Sequence, residues 1–324
     1  MTFKVLSLFS GCGGMDLGME GGFTFLRKRY RKTPFQISQA IDFDQRAVDI
    51  YNANFKVKCE ARDILTTPTD FFEQHDVLIG GFPCQSFSIV AQNPKRLGYK
   101  DKKGKLFFEI CRICRAWKPR ALIAENVKGL LNANKGEAFR LVLQELEESG
   151  YHVTHKLIDS SDFGVPQKRE RVFIVGFKFK KDLKRFSFPK STHASPEVKI
   201  PLADVLEDNR SVHESFYFSD RALAGLHRTK HLVYMNKGRV QDPSQPCNTV
   251  GAHLAKVSLN STDPVLMVRN RLRMFTPREV ARIQSFPERF KLAEAKTVNY
   301  RALGNAVPPV VMWHIARSLQ KALD

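Results

Sequence analysis

Short apolar runs alternate with stretches of helical periodicity through the first half of this chain, and that alternation points to a doubly wound, mostly parallel α/β sheet. Residues 4–9, 36–41, 77–79, 121–124, 152–158 and 172–177 read as strands. Residues 44–55, 105–117 and 137–149 read as helices between them. Ala47, Ile50 and Tyr51 share one face of the first, Leu106, Phe107, Ile110 and Cys114 share one of the second, and Gly150 caps the third. In such a sheet, ligands and reacting groups collect beyond the carboxyl ends of the strands.

A length of 324 residues is enough for one full α/β core and a smaller second domain. The alternation fails across residues 178–271, which are rich in turn formers, cations and short apolar pieces. Order returns at Thr276-Pro277-Arg278-Glu279, a helix start with a capping box and proline in its first turn. A last helix over 308–323 packs through Val311, Ile315, Leu319 and Ala322. The expected division is a first domain over 1–177, an irregular insertion over 178–271, and a segment over 272–324 that docks back on the first domain.

Lys and Arg number 52 against 33 Asp and Glu, a net charge of +19 that points to a polyanionic partner. The cations recur between apolar segments, in residues 27–32, 95–105, 168–171, 178–185 and 269–273, as on a folded cationic surface. Neither a cationic amphipathic helix nor a lipidation signal points to a membrane, and residues 1–9 run straight into a glycine loop, so they read as a strand and not as a leader. Six scattered cysteines fit a reducing cytoplasm. Cys111 and Cys114 have metal-ligand spacing but fall on a helix face without a second pair, which favours packing, and no metal is expected.

Phe9-Ser10-Gly11-Cys12-Gly13-Gly14 follows the first strand, and its glycines let the backbone turn tightly toward a ligand. By itself this loop suits a nucleotide or a dinucleotide. Asp42 at the end of the second strand has the chemistry to take both hydroxyls of a ribose, and Phe43 to stack on a purine; Asp63-Ile64 lies where an adenine edge could be met. Gly80-Gly81-Phe82-Pro83-Cys84-Gln85 places a cysteine just past the third strand, aimed by a proline. Glu125 ends the fourth strand. Arg169 and Arg171 alternate at the start of another, and would project from one face and share one anion.

Taken in order, Phe9 to Gly14, Phe82-Pro83-Cys84-Gln85, Glu125-Asn126-Val127, Gln167 to Arg171, Arg278-Glu279 with Gln284 to Pro287, and Gly304-Asn305-Ala306-Val307 resemble the motifs of the DNA cytosine carbon-5 methyltransferases of bacterial restriction-modification systems. The resemblance implies S-adenosylmethionine as cofactor and S-adenosylhomocysteine as product. Phe9, Gly11, Gly13, Gly14, Asp42, Phe43, Asp63, Ile64, Pro83 and Asn305 would line the cofactor site, with Asn305 closing it. It also implies Cys84 as the nucleophile at carbon 6 of a flipped-out cytosine, Glu125 as proton donor to N3 and Arg171 as the contact to O2. Arg169 would brace the site or meet a phosphate.

Residues 178–271 occupy the place of the family's target-recognition domain, and residues 85–105 that of the loop closing over the base. Gln85, Ser88, Lys95 and Arg96 would lie near the DNA. Thr249 resembles the family's threonine beside the flipped nucleotide, and Arg239 has a side chain suited to reading bases. The family's Arg-Gly-x-Leu piece here reads Lys103-Gly104-Lys105-Leu106, a departure that bears on one phosphate interaction. The expected partners are double-stranded DNA and a cognate restriction endonuclease acting at the same site, with no membrane, and the expected enzyme is a cytoplasmic, nucleoid-associated monomer. The same chemistry on transfer RNA and a non-catalytic DNA-binding regulator are the rival readings.

Overall fold

The computed structural model of the chain describes residues 2–83, 105–220, 239–254 and 263–324. Seven strands form one sheet: β1 (Phe3–Leu8), β4 (Phe35–Asp42), β5 (Cys59–Ala61), β6 (Val77–Gly81), β7 (Ala121–Val127), β8 (His152–Asp159) and β10 (Glu170–Phe177), in the spatial order β5-β4-β1-β6-β7-β10-β8. All neighbours pair in parallel except those of β10, which runs antiparallel to both β7 and β8. The central strands are buried almost throughout, because helices cover both faces. Chain order reverses between β1 and β6, and the crevice beyond their carboxyl ends is where such sheets bind ligands.

Helices α1 (Gly14–Glu20), α2 (Gln45–Asn54), α6 (Pro277–Ile283), α7 (Lys296–Asn305) and α8 (Pro309–Leu323) contribute to the core on one side of the sheet. Helices α3 (Lys105–Trp117) and α4 (Glu137–Glu148) build the other. On α3 the residues Phe107, Ile110, Cys111, Ile113 and Cys114 are all fully buried, so the Cys-x-x-Cys spacing serves packing, and burial pushes the Cys111 thiol up to about 12. Thr276 and Glu279 form the expected reciprocal cap on α6. Helix α4 stops at Glu148 with Ser149 as its cap, and Gly150 follows in the left-handed conformation at φ 92°.

Two features depart from the sequence reading. Residues 23–30 fold as a hairpin, β2 (Phe23–Phe25) against β3 (Lys28–Tyr30), within a stretch whose only sequence signal is its positive charge. The Arg169 to Arg171 stretch is also not one strand. Gln167–Lys168 forms β9 and pairs with β11 (Cys247–Asn248), β10 starts at Glu170, and Arg169 sits at the break. The break lets Gln167 and Lys168 reach the far segment while β10 joins the main sheet.

Past Phe177, helix α5 (Lys180–Arg185) lies against the sheet, where buried Asp182 takes two hydrogen bonds from Arg120 at 2.8 and 3.1 Å. A second hairpin, β12 (Leu266–Val268) with β13 (Arg271–Arg273), feeds α6. Their junction is a fully buried Arg273–Glu279 pair at 2.7 Å, extended by hydrogen bonds from Arg273 to Asn209 and from the Glu207 amide to Glu279. No helix among the described residues is long and apolar enough to cross a membrane.

Candidate active site

Strands β6 and β7 pair so that Gly81 lies opposite Glu125, and both sit at the carboxyl edge of the sheet. Glu125 is 8% exposed, and its Oε1 is 3.1 Å from Nε of Arg171 on neighbouring β10. Burial pushes the Glu125 carboxyl up from its ordinary range, against the pull of Arg171 and, less strongly, Arg169. A carboxyl in that balance can hold a proton and release it to a ligand nitrogen. A Cβ placed on Gly81 would stand 3.1 Å from Glu125 Oε2, so this glycine leaves room for the carboxylate.

Beyond Gly81 the chain passes Phe82 and Pro83 and reaches Cys84, which lies outside the described residues. Asn126, next to Glu125, donates from Nδ2 to the Phe82 carbonyl at 2.9 Å and accepts the Val127 amide at 2.8 Å. One side chain thereby ties the end of β7 to the turn that precedes the cysteine. Arg171 meets Glu125, but Arg169 is directed elsewhere, so the two arginines do not share one anion as the sequence reading expected. The Arg169 guanidinium is 2% exposed and donates to the carbonyls of Val250 at 3.0 Å and Gly304 at 2.9 Å.

Around Arg169 the two halves of the chain are joined by side chains bonded to backbone. Gln167 accepts the Val250 amide at 2.8 Å and donates to Gln284, which in turn donates to the Leu303 carbonyl at 2.5 Å. Thr249 donates to the Lys168 carbonyl at 2.8 Å. Gly304 approaches this seam so closely that a Cβ there would collide with the backbone of Gly251. Gln167, Gln284 and Asn126 fall within the motifs read in the sequence but carry no assigned role there, because a neutral amide gives no sign of which backbone it will bridge.

The second part of the site lies at the ends of β1 and β4. Asp42 accepts the Gly11 amide on Oδ2 and the Asp44 amide on Oδ1, both at 2.8 Å, which fixes the carboxylate beside the glycine loop. A carboxylate has about four acceptor positions, so two remain for a pair of hydroxyls. Phe43 is 77% exposed, an unusual position for a large ring and one open to stacking. Gly11 has φ 55° and no atom within 4 Å of where a Cβ would be, leaving open space over the loop. Phe9 shares the left-handed conformation at φ 54°.

Gly13 and Gly14 are glycines for another reason: a Cβ at either would collide, the first with the Phe55 ring and the second with the Val307 carbonyl. The latter approach brings the segment after Asn305 onto the loop. Arg301 of α7 also reaches Asp44 at 3.4 Å, so exposed Asn305 ends a helix that borders Asp42 and Phe43. Asp63 is half-buried and caps its own turn through the Leu65 amide, while Ile64 is buried. These residues fit an adenosine with an attached amino acid: a hydroxyl-binding carboxylate, an open ring face and a loop with room above it.

Arg239 is placed otherwise than expected of a base-reading side chain. It is 6% exposed, donates to the Asp263 carbonyl at 2.8 Å and lies over the Phe218 ring, so it works in packing. Gln85, Ser88, Lys95 and Arg96 lie outside the described residues. Among the described residues no group of His, Cys, Asp and Glu is gathered for a metal ion.

Comparison with known proteins gives this arrangement a family. The sequence profile of the C-5 cytosine-specific DNA methylases matches residues 3–321. The Type II methyltransferase M.Bsp6I of Bacillus sp. (strain RFL6) is 34% identical over 330 residues, which cover 99% of each chain. M.DsaV of Dactylococcopsis salina is also 34% identical, over 99% of this chain and 87% of its own. Two solved structures share the fold: the Entamoeba histolytica methyltransferase EhMeth, at TM-score 0.78 and 18% identity over 100% of this chain and 99% of its own, and the S. pombe Dnmt2 methyltransferase, at 0.73 and 22% over 98% of each. The full-length sequence match, together with a seven-stranded sheet bearing a buried glutamate at its carboxyl edge, places this chain in the C-5 cytosine-specific DNA methylase family, as a methyltransferase of the restriction-modification type.

Proposed function

We propose that this enzyme methylates carbon 5 of a cytosine turned out of a short recognised sequence in duplex DNA, through a covalent bond from Cys84 to carbon 6. The observation that carries the reading is Glu125: a buried carboxyl raised by desolvation, held by Arg171, and facing Gly81, three residues ahead of Cys84. Carbon 5 of cytosine is a weak nucleophile until a thiolate adds at carbon 6. Cys84 supplies that thiolate, and Glu125 passes its proton to N3 as the ring takes up charge. Arg171 then turns to O2 while still neutralising the glutamate that has given up its proton.

Asp42, Phe43 and the loop from Phe9 to Gly14 would hold S-adenosylmethionine, which would supply the methyl group and be released as S-adenosylhomocysteine. Asn305, Asp63, Ile64 and Pro83 complete the walls of that site in this reading. Loss of the carbon 5 proton to water lets the bond to Cys84 break and the ring recover. A base within a duplex shields both faces of this ring, so it must be extruded, and residues 85–105 with Thr249 are assigned to hold it there. Residues 178–271 read the sequence, and the enzyme works as a cytoplasmic monomer beside a restriction endonuclease of the same specificity.

Bisulfite sequencing of genomic DNA from a methylation-free host tests this, with the wild-type chain set beside its Cys84→Ala variant. Cytosines protected in one short context, and only with the intact chain, are the expected result. Protection that persists in Cys84→Ala would remove the cysteine from its role. No protection with soluble wild-type protein would turn attention to an RNA substrate and then to a regulator.

A further inference from the structure

The run Arg27-Lys28-Arg29-Tyr30-Arg31-Lys32 has no part in the site above. It folds around the β2–β3 hairpin, which hangs from the amino-terminal ends of β1 and β4. The Phe3 amide donates to the Pro34 carbonyl just past it, and the Gly22 amide to the Tyr30 carbonyl within it. Asp42 ends β4 on the opposite edge, and the seven steps from Phe35 to Asp42 span about 23 Å. The hairpin therefore faces away from the catalytic edge.

Arg27, Lys28, Arg29, Arg31 and Lys32 are all exposed, and among the described residues none has a carboxylate within ion-pair distance. The turn between the strands is strained. Leu26 and Arg27 occupy its two central positions at φ 43° and 62°, where Asn-Gly is the favoured pair, and each left-handed residue of this kind costs about 1 kcal/mol. Strain that persists at exposed, non-glycine positions marks a shape kept for use.

Beside the turn is a cleft of about 550 Å³ whose charged lining is Arg27, Arg29, Arg282, Arg289, Asp204 and Glu288. Arg282 is locked to Glu288 by two bonds of 2.8 and 2.9 Å, and Arg289 is pinned to the Gly22 carbonyl at 3.2 Å. That leaves four arginines against two carboxylates around the cleft, with Arg27 and Arg29 as the guanidinium groups committed neither to a carboxylate nor to the Gly22 carbonyl among the described residues. The hairpin's aromatic residues Phe23, Phe25 and Tyr30 are buried, and Leu26 is its one exposed large apolar residue, so what docks here is held by charge. Guanidinium forks match phosphate oxygens, and the polyanion at hand is the enzyme's own substrate.

We propose that this hairpin and cleft bind the phosphate backbone of a second segment of duplex DNA, apart from the segment holding the target base. The inference rests on DNA being the substrate, and it gives the enzyme a sequence-independent hold on long DNA. Duplex DNA is stiff over about 150 bp, so the second segment is a separate duplex or a distant stretch of a long one, not the immediate flank of the target site.

The test uses full-length enzyme with Arg27→Ala/Arg29→Ala and, separately, Leu26→Asn/Arg27→Gly, which relaxes the turn and is expected to raise thermal stability. Affinity for a nonspecific duplex of about 60 bp is measured against salt. Removing one phosphate interaction lowers the slope of log K against log salt by ~0.9, so the first variant should fall by about 2 in slope and, over the decade from 1 M salt, by roughly 60-fold in affinity near 0.1 M salt. Single-turnover methylation of a duplex of about 14 bp carrying the mapped site should not change, since such a duplex fills only the catalytic edge. An unchanged slope on long DNA in the folded variants overturns the proposal, and would redirect the cleft to an acidic protein. An equal loss on the short duplex also overturns it, because the hairpin would then belong to the main interface. The binding arm reads out whether or not the enzyme methylates, so its failure is distinct from failure of the proposed function.

Discussion

Gly81→Ala adds one methyl group at the point where the structure has least room for it. The new Cβ would stand 3.1 Å from Glu125 Oε2 and 4.0 Å from the Met15 sulfur. The backbone itself offers no objection, since Gly81 ends a β-strand and is not among the positive-φ glycines. The carboxylate must retreat by a few tenths of an ångström, while its other oxygen is held by Arg171 at 3.1 Å. A displacement of about 1 Å in a catalytic group can cost about 100-fold, so a third of that shift predicts a loss of roughly fivefold, or about 1 kcal/mol.

The loss should fall on the methyl-transfer rate, measured in single turnovers with radiolabelled cofactor, and leave DNA affinity near wild type. Moving the carboxylate from Arg171 and packing a methyl against it both raise its pKa further. The alkaline limb of the rate profile, where Glu125 loses its proton, should therefore move to higher pH. Glu125→Asp withdraws the carboxylate from the added methyl, so the double variant should lose less than the two single losses combined. A Gly81→Ala enzyme with wild-type rate and profile would refute the argument that Gly81 sets the position of Glu125.

Asp16 is fully buried, accepts a hydrogen bond from Tyr51 at 3.0 Å, and has its carboxyl pushed up by burial from 3.8 to about 7. Between those two values the folded protein keeps that proton while unfolded protein releases it, so this group's contribution to stability declines as pH rises through the window. Denaturant titrations of Asp16→Asn should show a flatter profile there; a variant with the wild-type slope would acquit Asp16. Arg273→Met strands Glu279 in a fully buried site and should destabilise by about 3–5 kcal/mol, with Arg273→Met/Glu279→Met recovering much of it in calorimetry. Phe43→Ala removes a ring that is 77% exposed, so the melting temperature should hold while calorimetric affinity for S-adenosylmethionine falls about tenfold, from ~1–2 kcal/mol of lost stacking. Unaltered affinity would exclude Phe43 from the cofactor site.

Local regularities carried most of the fold in the sequence. Apolar runs buried on both faces could only be central strands, and the capping box at Thr276 marked the start of α6 to the residue, because both signals act within a few positions of chain. The basic hairpin was not legible, since Leu26-Arg27 lacks the turn residues that announce one, and neither was the break at Arg169, which exists to satisfy carbonyls 81 and 135 residues away. In the site, the positions of Glu125 at the end of a strand and of Asp42 beside the glycine loop could be read directly, since each follows an apolar run by a few residues.

How those residues act on one another is a matter of folding. Periodicity and charge belong to the chain itself, which is why a doubly wound sheet and a strongly cationic chain were readable before any contact between segments was known. Only the folded molecule brought Arg171 to Glu125, sent Arg169 to the seam with Val250 and Gly304, buried Arg239 and opened Phe43 to solvent. Each of these depends on distant segments meeting, where desolvation and hydrogen-bond demand are summed over neighbours that no local pattern encodes.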